Sequence, residues 1–124
     1  QEIKYVLDGI KKVYQGFNKV CIFQPHRISR LKDLRKEFTY SFVNADEVIL
    51  CPIYSAGEKI NLGFDYNTFA KEIIKNSNVK LFLVENIYQL ANFLKKNMYG
   101  KKIVVGMGAG SISNWIRELP KLMR

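Results

Sequence analysis

The chain's single histidine stands in the run Phe23-Gln24-Pro25-His26-Arg27-Ile28-Ser29-Arg30, with two arginines close behind it. An arginine offers a planar fork of N–H donors that matches a carboxylate or a phosphate. Pro25 fixes its own φ and confines Gln24 to extended backbone, so the run leaves an apolar stretch through a defined loop. A helix starting within the run would add free backbone N–H groups and a partial positive charge. His26, Arg27 and Arg30 together read as an anion site that would bind substrate. A surface loop whose arginines pair with acids elsewhere explains the residue types equally well.

Two further runs invite chemistry. Gly106-Met107-Gly108-Ala109-Gly110-Ser111 follows an apolar stretch and precedes an amphipathic one. Glycines there let backbone turn tightly and approach an oxygen-rich ligand. The third glycine comes one residue too early for the dinucleotide fingerprint, and no Gly-Lys-Ser/Thr follows to make a nucleoside-triphosphate loop. Gly108, Ala109, Gly110 and Ser111 are candidate site-lining residues, against the alternative of a tight strand-to-helix turn with no ligand. In Tyr54-Ser55-Ala56-Gly57-Glu58-Lys59, Tyr54 and Glu58 are the candidates; the carboxylate would orient an arginine or bind an amine. A solvated Glu58–Lys59 pair is the simpler account. No nucleophile lies beside a base, so no catalytic set is complete in this chain. One histidine and two cysteines fall short of a metal site, and none is expected.

These runs need a scaffold. Ile3, Val6, Leu7, Ile10, Val13 and Tyr14 recur at helical spacing, which predicts a helix over 2–15. An apolar strand is predicted over 20–23. A helix from about Arg30 follows, with Ser29 as its N-cap and Leu31, Leu34 and Phe38 on one face. Strands at 45–51, 79–84 and 102–107 alternate with helices at 66–75 (capped by Asp65), at 85–96 and from about Ser111. Short apolar strands alternating with longer helices predict an α/β fold: a mostly parallel sheet with helices on both faces, in a single domain over 1–124. In such sheets ligands sit beyond the carboxyl ends of the strands. Those ends carry 24–30, 52–63, 85–86 and 106–111, and three of the four are the unusual runs. The chain opens on a helix where a β-α-β unit would already be under way, so a preceding strand or domain is expected.

Composition sets the class. Hydrophobic residues make up 48% of the 124 and charged residues 25%, an ordinary globular balance. Apolar runs stay far below the ~20 residues of a membrane span, and acidic and basic residues break up the first turns, so neither a membrane partner nor a signal peptide is expected. Cys21 and Cys51 read as buried thiols, which implies a reducing, cytoplasmic compartment. The net charge of +9 would suit an anionic substrate or a nucleic acid. Its lysines are scattered, however, and the stacked aromatics of an RNA-binding sheet are missing.

Taken together, "FQPHRISR" with "LKDL", then "YSAGEK", then "VVGMGAGSI", resemble the C-terminal domain of the muramyl ligases in order and over nearly the whole chain. Within that family they resemble the member that adds the first amino acid to the peptidoglycan precursor. The resemblance implies a three-domain cytoplasmic enzyme, an ATP-dependent acid–amino-acid ligase. ATP and Mg2+ would be held mainly by a central domain absent from this chain, with no cofactor in the fragment itself. The partners would be UDP-N-acetylmuramate, L-alanine, ATP and the remaining domains, with no nucleic acid. The C-terminal domain, Rossmann-like, would close over the site; alone, the fragment would be inactive. ATP would phosphorylate the lactyl carboxylate, and the amine of L-alanine would attack the acyl phosphate. By the same resemblance His26, Arg27 and Arg30 would face the substrate carboxylates. Ile28 stands where the family often has tyrosine, Ser55 where proline is common and Ser113 where glycine is frequent; none of these removes a charge. The family's "DDYAHHP" loop belongs just before Gln1. The competing reading is a stand-alone basic Rossmann-like module for a nucleotide or nucleic acid, whose binding would fall steeply with salt. A sister ligase for a diamino acid would carry a "DNPR"-type motif, which is missing.

Overall fold

The computed structural model describes residues 2–25, 28–53, 65–97, 99–108 and 112–123, with only the backbone described at 28–30. The elements run α1 (Glu2–Val13), β1 (Asn18–Gln24), α2 (Ile28–Asp33), α3 (Arg35–Tyr40), β2 (Glu47–Leu50), α4 (Tyr66–Ser77), β3 (Lys80–Leu83), α5 (Ile87–Asn97), β4 (Lys102–Gly108) and α6 (Ile112–Leu122). The strands form one sheet in the order β3-β2-β1-β4, and every pairing is parallel.

Strand alternation decides which residues reach which face. Cys21 and Phe23 of β1, with Val48 and Leu50 of β2, pack against Ile3 and Leu7 of α1, Leu31 of α2 and Phe69 and Ile73 of α4. Their neighbours Val20, Ile22 and Ile49 point the other way, onto Leu90 and Leu94 of α5 and Ile112 and Leu119 of α6. Both faces are covered, which is why the central strands read as unbroken apolar runs. The α/β expectation holds.

Local signals account for several boundaries. Asp65 caps α4 by accepting a hydrogen bond from the Thr68 N–H at 3.1 Å, and Thr68 Oγ1 donates to its second oxygen at 2.6 Å. Those bonds hold the Asp65 carboxyl below its ordinary range. Asn86 accepts from the Gln89 N–H at 2.9 Å at the start of α5, and Gln89 reaches back to the Glu85 N–H at 2.8 Å. Asn86 therefore stands before the helix that the sequence places from Glu85.

The helix predicted after β1 differs in two ways. It begins at Ile28, so Ser29 lies inside it and is not its cap. It also breaks at Leu34, whose φ of −115° and ψ of 21° leave the helical region, giving α2 and α3 in place of one helix. The break lets α3 turn onto α4. There Asn76 Nδ2 donates to Thr39 Oγ1 at 2.9 Å, Ser77 Oγ to the Thr39 carbonyl at 2.6 Å, and Arg35 Nε to Glu72 at 2.8 Å. In α1, Ile3 and Leu7 are buried, while Val6 and Val13 remain 39% and 74% exposed, so only part of the apolar stripe is used.

Both cysteines are free and buried, as expected. Burial pushes each thiol from 9.0 up to about 12. Between those values the folded chain keeps protons that the unfolded chain releases, so this contribution to stability is full below pH 9.0 and fades as pH rises toward about 12. An alkylating reagent at pH 8 should therefore label the native chain far more slowly than the denatured one; comparable rates would contradict the buried state.

Candidate functional site: the mouth between β1 and β4

The strand order makes one position special. From β1 the chain crosses toward β2 through α2 and α3, on the face that carries α1 and α4. From β4 it passes into α6, on the opposite face. The connections diverge where β1 and β4 lie side by side, leaving a crevice beyond their carboxyl ends, where ligands of open α/β sheets bind. Gln24, the last residue of β1, is register partner to Gly108, the last of β4. The stems of the His-Arg run and the glycine run are thus adjacent.

Of the residues singled out from sequence, Gly108 is fully described. It takes a φ of +130°, and a Cβ added there would fall 2.3 Å from the Gln24 carbonyl oxygen. Glycine is needed so that β4 can close on β1 at this point. Arg30 has its backbone in α2, immediately after the β1 stem, and its side chain lies outside the described residues. His26, Arg27, Tyr54, Glu58, Ala109, Gly110 and Ser111 also lie outside the described residues.

What the sequence reading missed is the anchoring. Pro25 predicts only an extended backbone for Gln24, yet its side chain is the polar hub of the mouth. It is 3% exposed. Its Oε1 accepts from the Ile112 N–H at 2.9 Å, and its Nε2 donates to the Pro52 carbonyl at 3.2 Å. The available signal was a polar residue closing an apolar strand directly before proline. Tyr66, first in α4, is a second anchor: its hydroxyl donates to the Cys51 carbonyl. Burial, with a smaller contribution from Cys51, pushes that phenol above its ordinary range.

A cavity of about 640 Å³ opens beside the junction, lined by Phe23, Gln24, Phe38 and Gly108 together with the carboxylates Glu2 and Glu37. Its described walls are apolar and acidic, so the cations of an anion site would have to come from the run at 26–30. A groove of about 700 Å³ runs along β3 at the opposite edge of the sheet, between α4 and α5. Among the described residues no group of three His, Cys, Asp or Glu could hold a metal ion. None of their helices is long and apolar enough to cross a membrane.

No family model matches the chain. It is similar to curated proteins named UDP-N-acetylmuramate–L-alanine ligase. The match to that of Pelagibacter ubique is 66% identical over 122 residues, covering 98% of this chain and 26% of the relative. That of Bartonella bacilliformis is 34% identical over 120 residues, covering 97% and 25%. The chain therefore spans about a quarter of the length of these relatives. Among solved structures, a murein peptide ligase from Psychrobacter arcticus superposes with a TM-score of 0.71 at 14% identity, over 98% of this chain and 25% of that one. This likeness concerns the fold, and it agrees with the Rossmann-like expectation. By sequence, over nearly its whole length, the chain is homologous to about a quarter of the length of the UDP-N-acetylmuramate–L-alanine ligases.

Proposed function

We propose that residues 1–124 are the C-terminal, amino-acid-receiving domain of an ATP-dependent ligase that joins L-alanine to UDP-N-acetylmuramate in peptidoglycan precursor synthesis. The observation that carries this reading is the 66% identity to the Pelagibacter relative across 98% of the chain. The pairing of Gln24 with Gly108 supports it, since the switch-point crevice starts between the stems of two runs that resemble the family.

In this reading the parent's other domains hold the UDP sugar, ATP and magnesium, and the metal would neutralise phosphate charge. The lactyl carboxylate becomes an acyl phosphate, and the L-alanine amine displaces phosphate to form the amide. This chain's part is recognition. Arg27 and Arg30 would grip carboxylate and phosphate oxygens, and His26 would face the reacting centre. Tyr54 and Glu58, with the run from Gly108 to Ser111, would line the site beside them. A low-dielectric crevice strengthens each of those contacts. The isolated fragment lacks the ATP-binding domain and would be inactive. The free thiols suit a reducing compartment, and the cytoplasm is the proposed location.

The test is phosphate release by the full-length parent given ATP, magnesium and UDP-N-acetylmuramate, with and without L-alanine. Release that depends on L-alanine is expected. A folded parent that releases no phosphate in response to L-alanine would remove the ligase reading. Nucleic-acid binding that falls steeply with salt would then favour the basic-module alternative.

A further inference from the structure

We infer that Gln24 is a positioning residue, whose carboxamide holds the three loop stems of the mouth in register. This rests on the ligase reading above. One residue touches all three stems. Its backbone pairs with Gly108 at the end of β4, and its side chain bonds Pro52 beyond β2 and Ile112 at the start of α6.

The chemistry of each end explains the choice of glutamine. Ile112 opens α6, so its N–H has no partner within the helix and must find one elsewhere. The usual solution is a side chain just before the helix; here the acceptor comes from 88 residues away in the chain. The Pro52 carbonyl needs a donor in turn. A carboxamide supplies an acceptor and a donor on one planar group, and no apolar side chain of that size does both. Because Gln24 is buried, water is a poor substitute at either end.

The consequence reaches the substrate. In sequence, the runs at 26–30, 53–64 and 109–111 each begin or end within two residues of Gln24, Pro52 or Ile112. Loosening the carboxamide would let the stems at Gln24, Pro52 and Ile112 shift relative to one another while the sheet below stayed intact. Misplacement of about 1 Å at a reacting centre lowers rates by as much as ~10².

The experiment uses the full-length parent carrying Gln24→Met or Gln24→Glu. Methionine keeps the volume and loses both bonds. Glutamate keeps the acceptor for Ile112 but sets an oxygen against the Pro52 carbonyl. For each folded variant, kcat and the KM for L-alanine are measured well below the melting temperature. Hydrogen exchange is followed in a peptide containing the Ile112 amide. Gln24→Met should lower kcat/KM by ~10-fold or more, with faster exchange at Ile112. Gln24→Glu should lower kcat/KM but keep Ile112 protected. If the methionine variant does not fold, the glutamate variant carries the same test through its kinetics. A folded Gln24→Met enzyme with kcat and KM within about twofold of the parent, and only a lower melting temperature, would make Gln24 structural and overturn the inference. Unchanged Ile112 exchange in that variant would overturn the tie itself. A parent with no alanine-dependent release would fail earlier, and the positioning role would fall with the ligase reading.

Discussion

Arg27→Ala in the full-length parent is expected to lower alanine-dependent phosphate release by ~10² or more in turnover, the scale for losing one donor aimed at transition-state charge. The expectation starts from β1. Gln24 is buried and bonded on two sides, and Pro25, next in the chain, is also fully buried, so the run that follows leaves the sheet from a fixed point. That point is the switch between β1 and β4, where the strand order opens a crevice. In the proposed function an arginine there would meet oxygens whose charge rearranges as acyl phosphate becomes amide, so its contacts would differ between ground and transition states. Arg27→Lys keeps the charge but loses the planar fork, and should recover only part of the activity. Lys71→Ala, on the α4 surface away from the junction, should change turnover little. The measurement is steady-state phosphate release for the three variants beside the parent. Turnover of Arg27→Ala equal to that of Lys71→Ala would make the loop structural and leave the ligase in place.

How much of this was written in the sequence varies with range. The start of α4 was legible because capping is local: Asp65 and Thr68 are three residues apart and settle the boundary between themselves. The two-sided burial of β1 was legible too, since Val20 to Phe23 is apolar without alternation. The break at Leu34 was not. Nothing within 28–40 forbids a continuous helix; the turn answers to Glu72, Asn76 and Ser77, more than thirty residues further on. Nor does the local pattern say that β4 lies beside β1 and not beside β3, its predecessor in the chain. Gln24 went unread for the same reason, because both groups that give its side chain a purpose are distant in sequence. From residue types alone the arginine run reads equally as an anion site or as a surface loop, and His26 and Arg27 lie outside the described residues. The ligase reading of the chain rests on resemblance, and the identity to the Pelagibacter relative bears out that resemblance.

Gly108→Ala is the second large expected effect, and it acts on the scaffold before it touches chemistry. At φ +130° an L side chain is strained whatever surrounds it, by ~1–3 kcal/mol. Here the surroundings add to the strain. The new Cβ would lie 2.3 Å from the Gln24 carbonyl oxygen and 3.1 Å from its carbonyl carbon and amide nitrogen. All three are backbone atoms of the adjoining strand, so no side chain can rotate away. The ends of β1 and β4 would have to part, and the Gln24 carboxamide would be drawn off Ile112 and Pro52. A loss of ~3 kcal/mol or more is expected, in the range reserved for backbone clashes and special dihedrals. For a domain of this size that lowers the melting temperature by ~10 °C. Gly106→Ala is the informative comparison. Its added Cβ would meet Ile116 Cγ1 at 2.7 Å and Cδ1 at 2.8 Å, but these belong to a half-exposed side chain that can shift outward, and its backbone needs no left-handed conformation. A smaller loss, ~1–2 kcal/mol, is expected for it. Thermal unfolding of the two variants beside the unsubstituted chain decides the matter. Equal losses would mean that the Gln24–Gly108 approach is no tighter than ordinary packing. A much larger loss at Gly108, together with faster exchange at Ile112, would identify one close backbone contact as the pin of the whole mouth.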